Sequence, residues 1–316
     1  MSMRGLVVRE GRPTVVHDLP GPRLGEGEIE VRVVAASVNP TDLELAEGLY
    51  DAQLEARGKV HLPRTGLELS GIVTRGGRRF REGDAVFGYI DLLEGDKTHQ
   101  ERVAIREDGV ASKPPELSFV EAAALPLGAE TSLVALRDEV RASPGQRVLI
   151  QGASGGLGVY ALQIAARLGL HITAVAGPGQ APFLHGLGAH RVLDYTQTDV
   201  RTLRETFDVV FDLTTRLQFA EIAHLLAPEG RFVPSEPLKA GVDFGGGAES
   251  GRRSVNLWVP RGEGKRLAEV AGWVRDGSLR VFVDSVFPFE EHAAAFGRLR
   301  EHGKRGRVVM TLEEDA

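Results

Sequence analysis

The segment Gly152-Ala153-Ser154-Gly155-Gly156-Leu157-Gly158 carries the clearest chemistry in this chain. It contains Ala153-x-Gly155-x-x-Gly158, a dinucleotide fingerprint with alanine at its first glycine position. An apolar run, Arg147-Val148-Leu149-Ile150, leads into it. After it, apolar residues recur at Leu157, Ala161, Ile164, Ala165 and Leu168, which is one face of a helix. Small residues between strand and helix let the backbone approach a pyrophosphate. The helix N-terminus meets that anion with free N–H groups and the positive end of its dipole. A tight turn that binds nothing shares the local pattern. The next strand, His171-Ile172-Thr173-Ala174-Val175 after Gly169, favours dinucleotide binding.

Coenzyme type is read further along. Binders of NAD carry an Asp or Glu roughly 20 residues past the loop, on the ribose 2′-hydroxyl. Here that region is Ala176-Gly177-Pro178-Gly179-Gln180, with neither an acid nor a Lys or Arg for a 2′-phosphate. Gln180, His185, Arg191 and Tyr195 are the polar candidates nearby. The missing acid favours NADPH and leaves NADH open.

Composition excludes other chemistries. The chain has no cysteine, so it has no disulfide, Cys-type zinc site, Fe–S cluster or thiol nucleophile. Among nine histidines, His185 and His190 are five apart, off the i, i+4 spacing of one helix face. A net charge of −6 argues against a nucleic-acid partner. No apolar run reaches the ~18 residues of a membrane span. The opening MSMRGLVVREGRP lacks the apolar stretch of a secretory leader, so a cytoplasmic location is expected. Glycine is abundant, 39 residues, well above the usual ~7%.

The elements that must position these residues fall into two grammars. Up to about residue 115, short apolar runs such as Leu6-Val7-Val8, Glu28–Val34, Ser70–Val73, Asp84–Phe87 and Arg102–Ile105 alternate with Gly/Pro turns. That pattern predicts a small β-barrel or sandwich. Ser118 and Glu121 form a capping box opening an Ala-rich helix from Glu121 to Leu127. Strands then alternate with helices: Arg147–Ile150, His171–Val175, Arg191–Leu193, Asp208–Phe211 and Arg231–Val233. Alternation implies βαβ units and a parallel sheet. Val255–Val259 is predicted as a strand, residues 264–274 as a helix, and 281–312 as strand, helix, strand. The stretch from Phe244 to Gly251 is a Gly-rich loop.

Together these segments resemble the medium-chain dehydrogenase/reductase superfamily, in its zinc-free quinone oxidoreductase (zeta-crystallin) and alkenal or enoyl reductase branch. The resemblance runs nearly end to end. It rests on Ala35-Ala36-Ser37-Val38-Asn39-Pro40-Thr41-Asp42, Gly48-Leu49-Tyr50, Gly66–Val73 and Glu82–Gly88. Further matches are Glu121–Leu127, Thr131, the glycine loop, Gly188-Ala189 through Asp194-Tyr195, Asp208–Asp212 and Gly306-Arg307-Val308-Val309. It implies an α/β chain: a Rossmann doubly wound parallel sheet over residues 122–262, and a GroES-like β-barrel from residues 1–121 and 263–316. Nicotinamide and substrate would share the cleft between the two, and a homodimer would form. The cofactor residues it implies are Ala153, Ser154, Gly155, Gly156, Leu157 and Gly158, with Gln180, Tyr195 and Arg307.

In the zinc branch a Gly-His-Glu motif supplies a metal ligand. Here it reads Gly66-Leu67-Glu68, and Asn39-Pro40-Thr41-Asp42 stands where a ligating cysteine would be. No metal site is expected. Without a Lewis acid, reduction of a quinone or an α,β-unsaturated carbonyl fits better than alcohol oxidation. The resemblance places Asn39 and Thr131 on the nicotinamide or the developing oxyanion, and Tyr50 beside the substrate, as catalytic residues. Asn39 is also a turn former, Thr131 could bond its own helix, and Tyr50 could pack a loop. Glu44 departs from the tyrosine common in quinone oxidoreductases. Tyr89 and Trp258 read as packing residues. The alternatives are a zinc-free NADP-dependent alcohol dehydrogenase, or a non-catalytic NADPH-binding protein with a structural or regulatory role.

Overall fold

The computed structural model describes residues 2–56, 58, 63–93, 96–236, 239–243, 248–259 and 261–313. The chain divides into two compact units. One holds residues 1–127, 260–301 and 307–316; the other holds 128–259 and 302–306. Residues 302–306, grouped with the barrel on sequence, cluster with the second unit.

The first unit opens with the hairpin β1 (Ser2–Arg9) and β2 (Arg12–Pro20). There follow β3 (Glu28–Val38), the short helices α1 (Pro40–Ala46) and α2 (Asp51–Glu55), then β4 (Glu68–Arg75), β5 (Ala85–Tyr89), β6 (Arg102–Arg106), β7 (Val110–Ser112) and α3 (Phe119–Ala123). Ser118 caps α3 as its sequence predicts: Ser118 Oγ accepts the Glu121 N–H at 3.1 Å, and a Glu121 carboxylate oxygen accepts the Ser118 N–H at 2.9 Å. The helix does not run on to Leu127. Pro126 disfavours helical backbone before it, and a new helix, α4 (Pro126–Leu133), starts on that proline.

The second unit contains β8 (Arg147–Gln151), α5 (Gly158–Arg167), β9 (His171–Ala176), α6 (Ala181–His185), β10 (Arg191–Asp194), β11 (Phe207–Asp212), α7 (Phe219–Ile222), β12 (Leu226–Pro234) and α8 (Glu249–Arg253). Its five strands are all parallel, in the order β10-β9-β8-β11-β12. With β8 as the first strand this is the doubly wound order 3-2-1-4-5. Val148, Leu149 and Ile150 at its centre are completely buried. Each contributes about 1.5–3 kcal/mol on leaving water. Helix α5 is buried beyond the single face its periodicity predicts, from Gly158 through Ala165. Gln163 tolerates this by donating to the Val159 carbonyl one turn back, at 2.9 Å.

The chain returns to the first unit with α9 (Gly264–Arg275), β13 (Val283–Pro288), α10 (His292–Arg300) and β14 (Arg307–Thr311). There β14 pairs antiparallel with β3, Val308 opposite Val38 and Thr311 opposite Ala35. The sheet is therefore closed by both ends of the sequence, in the order β13-β14-β3-β4-β5-β7 with β6 on β3. The sequence-predicted strand Val255–Val259 is not one. Only Ser254 bridges to Phe232. The segment still alternates, with Val255 and Leu257 buried and Trp258 exposed, and Val255 adds one hydrogen bond to the Phe232 carbonyl at 2.8 Å without a regular ladder. Trp258, read from sequence as a packing residue, is 45% exposed. Of the Gly-rich stretch, residues 244–247 lie outside the described residues. Among the described residues no helix is long and apolar enough to cross a membrane.

Candidate functional site

The glycine loop lies where strand β8 gives way to helix α5, at the carboxyl edge of the parallel sheet. Gly152 takes a left-handed φ of 84°, which turns the chain out of the strand. Its N–H and that of Ala153 both donate to the Val175 carbonyl at 3.0 Å, tying the loop to β9. Among the described residues the N–H groups of Ser154, Gly156 and Leu157 have no acceptor within the chain. These residues are half-buried rather than enclosed. A cradle of unpaired donors at the start of a ten-residue helix fits a diphosphate. The glycines divide the work. A Cβ on Gly158 would lie 2.2 Å from the Gly152 carbonyl oxygen, so Gly158 is required by the loop itself. A Cβ on Gly155 would meet only that oxygen, at 3.5 Å, so the fold tolerates a side chain there.

Gln180 and Tyr195 stand beyond the ends of β9 and β10 in the same unit. Gln180 is 4% exposed; its side-chain oxygen accepts from Arg305 Nε at 2.7 Å and its amide donates to the Gly303 carbonyl at 3.3 Å. Tyr195 is exposed, with its hydroxyl 3.5 Å from His302 Nδ1. Thr131, on α4, is 8% exposed, and its hydroxyl finds no hydrogen-bond partner among the described residues. It is Ser132 that bonds back to its own helix, donating to the Gly128 carbonyl at 2.7 Å.

The first unit buries a polar network that sequence reading only touches. Glu68, completely buried on β4, accepts from Ser37 Oγ, Arg307 Nη2, Asn39 Nδ2 (3.1 Å) and the Leu127 N–H (2.8 Å). Arg307, at the start of β14, also donates to Asn39 Oδ1, and its Nε has no partner among the described residues. Asn39 donates through Nδ2 to Ser37 Oγ at 3.1 Å as well. Both ends of its amide are thus committed inside the protein. Asp42 on α1 is buried and accepts the N–H groups of Asn39 (2.7 Å) and Gly66 (2.9 Å). Burial pushes its pKa up to about 7, against those two hydrogen bonds.

Nearby, His99 contacts the Ser37 carbonyl through Nε2 (2.9 Å) and Thr65 Oγ1 through Nδ1 (2.8 Å). A carbonyl can only accept, so Nε2 carries the proton and Nδ1 accepts from the hydroxyl. Burial holds the His99 pKa down at about 4. Lys97, donating to the carbonyls of Asp91 and Leu92, is lowered by burial to about 8. Tyr50 and Leu67 are buried in the apolar cluster of this unit, so Tyr50 packs as well as standing at the start of α2. Tyr89 is 1% exposed on β5, opposite Glu68 in the β4–β5 register.

The donor set does not suit a metal. Leu67 offers no lone pair, and the chain has no cysteine. Glu68 and Asp42 spend their oxygens on internal donors, and both ring nitrogens of His99 are bonded. Among the described residues no cluster of three His, Asp or Glu side chains is placed to hold an ion. Glu68, Ser37 and His99 are not singled out by sequence as a cluster, because the strands that join them are distant in the chain.

Residues 25–115 match the family described as alcohol dehydrogenase GroES-like domain, and residues 187–310 the one described as zinc-binding dehydrogenase. The chain is 30% identical over 301 residues to the 2-methylene-furan-3-one reductase of Solanum lycopersicum, covering 92% of this chain and 73% of that protein. It is 28% identical over 302 residues to the chloroplastic NADPH-dependent alkenal/one oxidoreductase of Arabidopsis thaliana, with the same coverage, 92% and 73%. Among solved structures, the quinone oxidoreductase from Coxiella burnetii matches with a TM-score of 0.85 at 25% identity, over 99% of this chain and 100% of that one.

Proposed function

The chain belongs to the medium-chain dehydrogenase/reductase superfamily, in its zeta-crystallin-like branch, and on that premise we propose an NADPH-dependent oxidoreductase that transfers hydride to a quinone or an α,β-unsaturated carbonyl compound. The observation that carries the coenzyme part is the loop from Gly152 to Gly158, with unpaired N–H groups at the head of α5. NADPH held there supplies a hydride for an electron-poor carbon.

The chain's own residues bind and orient. The N–H groups of Gly156 and Leu157, and the hydroxyl of Ser154, hold the diphosphate. Arg307 is kept as a coenzyme residue on the family resemblance alone. The Thr131 hydroxyl is the donor for negative charge gathering on the substrate's conjugated oxygen, because it has no bond inside the described chain. Asn39, expected on sequence to play that part, has both amide N–H groups engaged, so its role is to position Arg307 and Glu68. Tyr50 borders the substrate from the apolar cluster. No step uses a metal. The proposal includes a cytoplasmic setting and a homodimer, the latter tested by light scattering.

The functional test is oxidation of NADPH and of NADH against a panel of quinones, enones and enals, with and without a chelator. Turnover that survives chelation is expected. Tight NADPH binding with no turnover across the panel would overturn the catalytic reading in favour of a structural or regulatory one. Stoichiometric zinc, with activity lost on chelation, would overturn the metal-free one.

A further inference from the structure

We propose that Arg305 recognises the 2′-phosphate of the coenzyme and sets the preference for NADPH over NADH; this rests on the coenzyme reading above. In a doubly wound sheet the adenosine ribose lies at the carboxyl end of the second strand, here β9. The residues there, Ala176-Gly177-Pro178-Gly179-Gln180, hold no charge of either sign. The fold imports one from 125 residues away. Residues 302–306 cluster with this unit, and Arg305 Nε donates to Gln180 Oε1 at 2.7 Å while Nη2 donates to the Gly179 carbonyl at 3.3 Å. The guanidinium lies over the Phe183 ring, 5.1 Å from its centroid.

Three different contacts therefore fix the plane of a cation at the strand end, and the residue is exposed. Gln180 makes the anchor firm. It is buried, and its amide is bonded at both ends, to Arg305 and to Gly303. Tyr195 and His302 stand in the same region, hydroxyl to ring nitrogen at 3.5 Å. Gly177 leaves room for the phenol, since a Cβ there would come within 3.2 Å of the Tyr195 hydroxyl. Asp194, the carboxylate closing β10, is folded onto Thr196, accepting its N–H at 2.8 Å and its hydroxyl at 2.7 Å. A planar guanidinium fixed at the strand end suits a phosphate monoester, which carries close to two negative charges and three acceptor oxygens. A ribose hydroxyl gains little from the same cation.

The experiment is equilibrium titration of the full chain with NADPH and with NADH, followed by coenzyme fluorescence, for wild type, Arg305→Ala and Arg305→Lys. Arg305→Ala is expected to weaken NADPH about tenfold or more, the scale of a charged hydrogen bond, and to leave NADH within about twofold. Arg305→Lys is expected to keep an intermediate ratio. Added salt should erode the wild-type preference and not that of Arg305→Ala. The unchanged NADH affinity doubles as the control for folding. Equal weakening of both coenzymes by Arg305→Ala would mean that the arginine only staples its segment, and the proposal falls. An unchanged ratio overturns it too. Wild type that binds both coenzymes equally overturns this proposal and leaves the coenzyme reading standing. Wild type that binds neither overturns the coenzyme reading itself.

Discussion

Replacing Gly155 by aspartate separates what the loop needs to fold from what it needs to bind. The backbone at Gly155 is not left-handed, and a Cβ there meets nothing closer than the Gly152 carbonyl oxygen at 3.5 Å. A carboxylate just ahead of α5 also faces the positive end of the helix dipole, worth about 0.3–1 kcal/mol in its favour. The apo protein should therefore melt at or slightly above the wild-type temperature. Binding moves the other way. A carboxylate roughly 5 Å from one diphosphate charge, at an effective dielectric of about 20, opposes it by about 3 kcal/mol, or about two orders of magnitude in Kd. The assay pairs thermal melting with NADPH fluorescence titration. Gly155→Asn, equal in size and uncharged, isolates the steric part, and the gap between the two variants should narrow as salt rises. Gly158→Ala is the contrasting control. Its Cβ would sit 2.2 Å from the Gly152 oxygen and 2.5 Å from the Ala153 carbonyl carbon, so stability should drop by about 1–3 kcal/mol. NADPH affinity unchanged in Gly155→Asp would refute the loop as the diphosphate site. A Tm loss in that variant as large as in Gly158→Ala would refute the division between the two glycines.

Four further outcomes are expected. The folded pKa of His99 lies near 4, below its ordinary 6.5, so the unfolded chain takes up more protons in that window and stability is lost as pH falls through it, by about 3 kcal/mol in full. Asp42 is raised to about 7, so its contribution is lost as pH rises from about 4 to 7; urea unfolding across pH 4–7 should show His99→Gln gaining stability on acidification and Asp42→Asn losing it. Glu68→Ala strands the Arg307 guanidinium at 3% exposure and should cost about 3–5 kcal/mol by denaturant unfolding, part of which Glu68→Ala/Arg307→Met recovers. Thr131→Val, nearly isosteric, should lower kcat about a hundredfold with NADPH Kd and Tm unmoved, and an unchanged kcat removes Thr131 from the oxyanion role.

Sequence pattern carries the second unit well, because strand, turn and helix are local. The run from Arg147 through Leu168 contains its own strand, glycines and helix periodicity, and the capping box of Ser118 and Glu121 forms as spelled. What pattern misses depends on distant pairing. The 255–259 segment has a strand's alternation, but only its first residue reaches the neighbouring strand, Val255 donating to the Phe232 carbonyl at 2.8 Å. Glu68 meets Asn39 across 29 residues and Arg307 across 239, through the β3–β4 and β3–β14 ladders, and no short window shows those ladders. Arg305 is invisible for the same reason. The coenzyme-discriminating residue is sought just past the fingerprint, while the chain delivers it to Gln180 from the segment before β14.

The buried network in the first unit bears on how Glu68 is accommodated beside a leucine. Burying a carboxylate and a guanidinium in an apolar cluster costs several kcal/mol per ion, and attraction between them repays this only when every remaining donor and acceptor is used. Glu68 meets that condition, with a hydroxyl, an amide, a guanidinium and a backbone N–H around it. Arg307 does not, because its Nε is buried without a partner among the described residues. An orphan donor of that kind costs about 1–3 kcal/mol, which the bonds to Asn39 and Glu68 must offset. Arg307→Lys keeps the charge and loses the fixed fork of donors that Asn39 and Glu68 hold, so the Tm of the coenzyme-free chain should fall; an unchanged Tm would show that the network does not depend on that fork.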